Sequence, residues 1–375
     1  MMPILKNAGW MSAVSALVGW GLLVAHAPAG PLDRSRVDPK ATWLLHVDME
    51  CLRESPVGCG VLAERGSFAG SMFNDLRTDL NLDPGSDINA ITVYGLPVES
   101  GAEEVESVVL ISTTAAADTL PTFMKDAHAE TFVECRASSP EVFSWLVDEN
   151  RWYLCVKQAP ASAERVVVMS RSQARVSAAM RLLDTAHAAN FSETAPAETR
   201  PWPFDQDPAK GSMVFLVANR AMWGGRGASS PALKGTRGIA VDLREQHDES
   251  GVRWTQVCAK VRMENEQSAE QMANIMKGAV AWLSLTAAET DAPAEHCCKA
   301  LDEASPKRAG VDVTLDLKVN SRELAAILDG VRTMHSPSAP SPTEKHEKHP
   351  TGTENRDTKQ APPAKNPLSS TSPRR

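Results

Sequence analysis

The chain has 375 residues and carries 39 Lys and Arg against 47 Asp and Glu, a net charge of −8. Its hydrophobic content of 42% is enough for one large or two modest cores. The acidic balance argues against a nucleic-acid-binding body, which needs a basic face. Aromatic residues make up 5% and include only two Tyr, so the composition does not indicate an aromatic surface for stacking sugars.

The first residues follow the order of a secretory signal peptide. Lys6 supplies a positive charge, and the sixteen residues from Trp10 to Ala25 contain no charged side chain. Small residues surround the expected cleavage position after Ala29, so residues 1–29 are predicted to be removed on export. The alternative is an uncleaved anchor, but a spanning helix needs about 20 apolar residues. We therefore expect a periplasmic or extracellular protein with no transmembrane segment after cleavage.

Composition divides the rest of the chain into two bodies and their connections. A polar linker over 30–40 leads to a first half over 41–189, and a Pro-rich, acidic linker or long loop over 190–210 leads to a second half over 211–334. Residues 335–375 contain eight Pro and no aromatic residue, which predicts a disordered tail. Because this tail has seven Lys and Arg against four Asp and Glu, it is a candidate contact for an anionic envelope partner.

The same order of elements recurs in the two halves. Each opens with a short apolar strand that ends in a helix-capping residue, Asp48 in the first half and Asn219 in the second. A hairpin, a helix, a further strand and a Ser-initiated helix follow in each half. The predicted first-half elements are 43–48, 88–94, 107–112, 116–128, 165–170 and 172–186. Their second-half counterparts are 214–219, 238–243, 255–261, 268–285, 311–319 and 321–331.

This repetition predicts an α+β fold made by internal duplication. Each half is expected to be a mostly antiparallel sheet with helices on one face, and the two halves to pack as a pseudo-symmetric pair. The first half carries an additional helical insertion over 55–80, which opens with Ser55 as cap and Pro56 in the first turn. The alternative is that two α+β segments resemble each other by chance.

His46, Asp48 and Glu50 alternate with apolar residues, so they would share one face of an extended strand. Such a cluster is a candidate for metal binding or acid–base chemistry. The alternative is structural, because Asp48 as N-cap and Glu50 in the first helical turn explain both acids. We favour the structural interpretation.

A second candidate cluster comprises Glu295, His296, Cys297 and Cys298, which are all potential metal ligands. Zinc sites usually separate paired cysteines by two to four residues, and these two are adjacent. The stretch 289–307 is therefore interpreted as a polar surface loop with an oxidisable thiol.

The remaining motifs give no catalytic or cofactor-binding residue. The sequence lacks the phosphate-cradling, dinucleotide-binding, nucleophile-elbow and zinc-protease patterns, so no cofactor is predicted. The seven cysteines are too few for a disulfide scaffold. Cys135, Cys155 and Cys258 have the sequence context of strand interiors, which favours free thiols; a Cys135–Cys155 bridge is the first alternative to test.

Two stretches resemble a group of uncharacterised exported proteins of planctomycete-type bacteria. They are 38–48 (DPKATWLLHVD), followed by Leu52 and Ser55-Pro56, and 82–88 (LDPGSDI), which leads to 91–95 (ITVYG). The resemblance implies a location in the bacterial envelope or outside the cell and a duplicated α+β body. No catalytic residue carries over, because the group has no assigned activity.

These observations together favour a non-enzymatic exported protein that acts as a binding or structural module. The first alternative is an exported hydrolase whose site is assembled from dispersed residues. The second is an envelope-assembly or chaperone-like factor. A pocket around His46 and Asp48 would favour the hydrolase, and a flat or helix-covered sheet would favour the binding module.

Overall fold

The computed structural model describes residues 32–63, 68–97, 106–113, 119–135, 141–147, 149–158, 164–189, 208–209, 211–219, 235–289 and 295–335. Within these residues the chain forms an α+β fold with twelve strands and eight α-helices. The strands are β1 (Trp43–Asp48), β2 (Ile88–Leu96), β3 (Glu106–Thr113), β4 (Val133–Cys135), β5 (Val142–Val147), β6 (Asn150–Gln158), β7 (Arg165–Ser170), β8 (Ser212–Asn219), β9 (Thr236–His247), β10 (Arg253–Met263), β11 (Lys307–Ala309) and β12 (Asp312–Asn320). The helices are α1 (Met49–Glu54), α2 (Pro56–Ala63), α3 (Phe68–Leu80), α4 (Leu120–Ala127), α5 (Gln173–Ala189), α6 (Glu266–Glu289), α7 (Glu295–Glu303) and α8 (Ser321–His335).

All twelve strands belong to one sheet, in the order β11-β12-β10-β9-β8-β1-β2-β3-β7-β6-β5-β4. Every neighbouring pair is antiparallel. The first strands of the two predicted halves, β1 and β8, pair at the centre, with Leu45 opposite Leu216. The two halves therefore continue one sheet.

The central strands are apolar along their whole length because both of their faces are buried. All six residues of β1 are buried, and seven of the eight residues of β8 are. A strand that is covered on both faces has a continuous run of hydrophobic residues. In a half-exposed strand, hydrophobic and polar residues alternate. The apolar runs that predicted these strands therefore also indicate that the strands lie at the centre of the sheet.

The two faces of the sheet have separate cores. On the helical face, Leu45, Leu216 and Val241 pack under α1–α4 and α6–α8. On the second face, Leu44 and Val168 belong to a smaller core with α5. Helix α5 contributes Val176, Ala179, Met180 and Leu183 to that core.

The predicted α+β class and antiparallel pairing are confirmed, but two finer features differ from the prediction. The halves do not form separate sheets, because β1 and β8 pair with each other. Helices are not confined to one face, since α5 packs on the second face. The cause is the apolar character of Val108, Val166 and Val168 on that face, which would otherwise meet water.

Several predicted segments lie outside the described residues. They include the signal segment 1–29, most of the connection 190–210, and the tail from residue 336 onward. Within the predicted linker 30–40, Arg34–Arg36 form a 3-10 helix, and Arg36 makes a 3.0 Å salt bridge with Glu164. Helix α8 continues to His335, beyond its predicted end at residue 331.

Candidate binding face

His46 and Asp48 lie in β1 and both are buried. The Nδ1 atom of His46 is 2.9 Å from the hydroxyl of Thr92 on the neighbouring strand. Strand β1 ends at Asp48, so Glu50 lies in α1 and does not continue the strand face. The extended arrangement that would align all three side chains is therefore not formed.

Asp48 caps α1, as the sequence predicts. Its Oδ1 accepts hydrogen bonds from the backbone N–H groups of Glu50 at 3.1 Å and Cys51 at 3.0 Å. Burial raises the pKa of Asp48 to about 6, and these hydrogen bonds oppose the rise. Ser55 likewise caps α2, because its hydroxyl accepts from the N–H of Val57 at 3.1 Å.

The second candidate cluster lies in α7, so the predicted surface loop over 289–307 is wrong for 295–303. The sequence EHCCKALDE favours a helix there because its apolar residues fall on one side, and Leu301 is buried in the core. The side chains of His296 and Cys297 lie outside what the structure describes. Among the described residues, no group of three or more His, Cys, Asp or Glu is placed to hold a metal ion.

A different set of residues forms a polar surface on the described sheet. On the second face, the apolar lining of the first half gives way to polar side chains on β9, β10 and β12. We call this surface the polar patch, and its members are Arg244, Gln246, Trp254, Gln256, Cys258, Lys260, Arg262, Asp312, Thr314, Asp316, Lys318 and Asn320. All of them are half-buried or exposed.

The register of the strands brings these residues into rows across the sheet. Gln256 stands between Arg244 on β9 and Lys318 on β12. In the next row, Cys258 stands between Asp242 and Asp316. Partners in an antiparallel pair have Cβ atoms about 4.5–5.5 Å apart, so each row is a line of interacting side chains.

Hydrogen bonds connect the middle of the patch. Arg244 donates from Nε to Oε1 of Gln256 at 2.9 Å, and Gln256 donates from Nε2 to Asp316 at 2.8 Å. Gln256 thus connects a cation on one strand to a carboxylate two strands away. These two hydrogen bonds connect side chains of three neighbouring strands.

At one end of the patch, a carboxylate lies between two cations. Asp312 accepts from Nε and Nη2 of Arg262 at 2.8 and 3.0 Å, a bidentate pair. Lys260 approaches the same carboxylate at 3.6 Å. Hydrogen bonding to Arg262 lowers the pKa of Asp312, so this carboxyl stays ionised.

At the opposite end an aromatic ring meets a cation. The ammonium of Lys318 lies 5.3 Å from the ring centroid of Trp254, within cation–π range. The indole N–H donates to Asp248 at 2.9 Å in the hairpin turn. Hydrogen bonds from Ser250 and Trp254 lower the pKa of Asp248 to about 2.

Asp242 lies beneath the patch, where it is buried beside β8. Its carboxylate accepts a 2.5 Å hydrogen bond from the hydroxyl of Ser212. Burial raises the pKa of Asp242. Asp242 is only 2% exposed, so four basic groups stand against three accessible acidic groups, which are Asp312, Asp316 and, at the edge, Asp248. The patch is therefore a weakly basic surface on an acidic chain.

Cys258, at the centre of the patch, is poorly suited to nucleophilic chemistry. Burial raises the pKa of its thiol to about 11, and the neighbouring Asp316 adds to the rise. The thiolate is the reactive species, so a raised pKa suppresses reactivity near neutral pH. The six cysteines whose side chains the structure describes, which include Cys135 and Cys155, are all free.

Sequence reasoning placed Cys258 in a strand interior and did not assign the patch, although a signal for it was present. In β10, Trp254, Gln256 and Cys258 alternate with buried Thr255 and Val257. Alternation with period two marks a strand with one face in the core and one polar face.

Comparison of the chain with protein-family models, with curated proteins and with solved structures finds no match. None of the described helices is long and apolar enough to cross a membrane. The site must therefore be interpreted from its own residues.

Proposed function

We propose that this chain is a non-enzymatic, exported binding module that uses the polar patch to hold an acidic partner. The supporting observation is the contrast between the two halves of one sheet face. Over β3 and β7 that face is apolar and lies under α5, whereas over β9, β10 and β12 it is polar and partly exposed.

Two cations of the patch are available to a partner. Among the described residues, Arg244 contacts Gln256 and Cys258, Lys318 contacts the ring of Trp254, and neither makes a salt bridge. They stand on either side of Gln256, about 10 Å apart across two strand spacings. This spacing is that of their backbone positions, and a guanidinium and an ammonium presented from two strands can each bind a carboxylate of an acidic polymer.

The shape of the patch favours an extended partner over a small molecule. Small-molecule sites are concave and largely apolar, and they bury most of the ligand surface. A sheet face is flat, and its side chains stand in rows about 6–7 Å apart along each strand. A carboxylate-bearing chain lying across the strands would meet Arg244, Gln256 and Lys318 in succession.

The predicted export of the chain would favour the same class of partner. The signal-peptide pattern of residues 1–29 and the resemblance to exported planctomycete-type proteins indicate the cell envelope or the exterior. Acidic polymers are components of that compartment, and the predicted basic tail over 335–375 would add a second, weaker contact. Fractionation of the expressed chain, with N-terminal sequencing of the exported form, tests the location and the cleavage after Ala29.

We also propose that the body arose by internal duplication. Trp43 pairs with Ala218 and Val47 pairs with Val214, so exchanging β1 for β8 maps one pair onto the other. Outward from this centre, β1-β2-β3-β7 corresponds to β8-β9-β10-β12. The helices that follow β7 and β12 break the symmetry, because α5 packs on the second face and α8 on the helical face.

Superposition of the two four-strand units tests the duplication. Strand order and register should be preserved over all four strands. A register that differs between the units would contradict a common origin.

Binding of a carboxylate polymer tests the proposed function. Labelled poly-L-glutamate is titrated with the full chain in low salt, and binding is followed by fluorescence anisotropy. Arg244→Gln and Lys318→Gln should each raise the dissociation constant about fivefold to tenfold, since each removes a charge-assisted contact. Added salt should weaken binding by the wild type.

Arg181→Gln is the matched control, because Arg181 is exposed on α5, away from the patch. This variant should bind like the wild type, and an uncharged dextran should not bind to any of the proteins. Equal affinity for poly-L-glutamate in all three variants and the wild type would show that the polar patch is not the binding surface.

A further inference from the structure

Helix α6 is apolar on the side that faces the core and also on the opposite side. Met272, Ala273, Val280 and Ala287 are buried against the helical face of the sheet. An amphipathic surface helix normally carries polar residues on its outer side. In α6, however, Lys277 is the only charged residue between 271 and 288.

The outer side of α6 carries a stripe of large apolar side chains. Ile275, Trp282 and Leu285 are 47%, 57% and 66% exposed, respectively. With Gly278 they occupy positions separated by three, four and three residues. This is the a/d spacing that one helix uses to pack along another. We call these four residues the outer stripe.

The outer stripe is self-complementary under a two-fold axis. If two copies of α6 lie antiparallel and the axis passes beside residue 280, Ile275 of one copy faces Leu285 of the other. Trp282 then faces Gly278. A Cβ built on Gly278 has no atom within 4 Å, so the space above it is open to a partner indole.

The flanks of the outer stripe allow this approach. Asn274, Ala279 and Ala281 are exposed, small and uncharged, so no like charges are brought together across the axis. Lys277 is exposed and lies about 120° around the helix from the centre of the stripe, outside the contact. Glu289 continues the stripe four residues beyond Leu285, and in this arrangement it faces Gln271 of the other copy, so no like charges oppose each other across the axis.

The area of contact sets the strength of this association. The segment 271–289 spans about 27 Å, and a helix is about 10 Å wide, so the contact covers roughly 300 Å² in projection. A standard interface buries about 800 Å² per partner. The contact is less than half of that size, so the expected association is weak and reversible.

We propose that the outer stripe of α6 is the interface of a homodimer, in which a second copy of this chain packs antiparallel along it. The inference is independent of the proposed ligand, because the polar patch lies on the other face of the sheet. The dimer would carry two polar patches and would bind a polymeric partner at two points.

Sedimentation velocity of the full chain, over roughly 1 to 200 µM, tests the proposal directly. The wild type should shift from monomer to dimer as its concentration rises. Ile275→Glu alone and Leu285→Lys alone should each weaken association at least tenfold, because each places a charge opposite an apolar side chain at both ends of the interface. Lys277→Glu, which changes a charge on the same helix outside the outer stripe, should associate like the wild type.

A mixture of the two single variants tests the antiparallel register. In the mixed dimer, Glu at 275 of one copy faces Lys at 285 of the other, and the second end retains the wild-type Ile275–Leu285 pair. The mixture should therefore dimerise where neither variant does alone. A monomeric wild type, association unaffected by either variant, or a mixture that fails to dimerise would each overturn the proposal.

Discussion

The buried carboxylate of Glu245 lies 3.8 Å from the guanidinium of Arg253. Arg253 also donates a 2.6 Å hydrogen bond to the backbone carbonyl of Glu54, at the end of α1. Opposite Glu245 on β10, the hydroxyl of Thr255 is 2.9 Å from that of Ser321, the first residue of α8. This group connects the second half of the sheet to a helix of the first.

Glu245 should make the protein less stable as the pH rises. Burial raises its pKa to about 7, and the hydroxyl of Ser321 and the charge of Arg253 oppose the rise. Because the folded state holds this proton more tightly than the unfolded state, the contribution is stabilising below about pH 4.5. This stabilisation is lost as the pH rises to about 7, and the free energy of unfolding falls by about 3 kcal/mol.

Glu245→Gln, which imitates the protonated acid, should remove this part of the pH dependence. Urea unfolding between pH 4.5 and 8 measures the effect, and the variant should be more stable than the wild type at pH 8. Glu249→Gln is the control, since Glu249 is exposed in the hairpin turn. Parallel curves for Glu245→Gln and the wild type would contradict the assignment.

Asp48 combines a helix cap with a buried charge, and two substitutions separate these roles. Asp48→Ala removes the acceptor for two backbone N–H groups and should cost about 1 kcal/mol. Asp48→Asn keeps an acceptor and removes the charge, so above about pH 6 it should be at least as stable as the wild type. The sign follows from the raised pKa, which makes the ionised form the less stable one. Chemical denaturation at pH 5 and pH 8 measures both variants.

The strands were the most predictable part of the fold, because continuous apolar runs in the sequence indicate them. The predicted bounds of β1 and β7 match the structure, and those of β2 and β3 differ by only one or two residues at an end. The β5–β6 hairpin was not predicted. Its turn uses Glu149 with φ of 68°, without the Gly or Asn that normally marks such a turn.

The packing side of each helix could not be predicted from local sequence. Helices α5 and α8 each follow a strand and begin near a Ser, yet they cover opposite faces of the sheet. That choice depends on which face the distant strands leave apolar. The polar patch was missed for the same reason, since alternation in β10 and β12 becomes a surface only when the strands lie side by side.

Gly95 should be essential to the packing of Trp43 at the centre of the sheet. The two residues are partners on β1 and β2, and a Cβ on Gly95 would lie 1.8 Å from Nε1 of the indole. Gly95→Ala should therefore destabilise the protein by about 1–3 kcal/mol. The double variant with Trp43→Leu should recover part of that loss, because the smaller side chain leaves room for the methyl group. Additive losses in this double-mutant cycle would show that the contact is not the cause.

Thiol reactivity should rank the cysteines by environment and test the hydrolase alternative. Burial raises the pKa of Cys155 and of Cys258 to about 11, whereas Cys59 is exposed. At pH 8 a thiol with a pKa near 11 is about 0.1% thiolate, so iodoacetamide should modify Cys59 well before buried Cys155 or half-buried Cys258. Mass spectrometry of timed digests measures the order, and the difference should disappear in denaturant. If Cys258 were alkylated as fast as Cys59 in the folded protein, its thiolate would be accessible and activated. The polar patch would then have to be considered as a catalytic surface with Cys258 as its nucleophile.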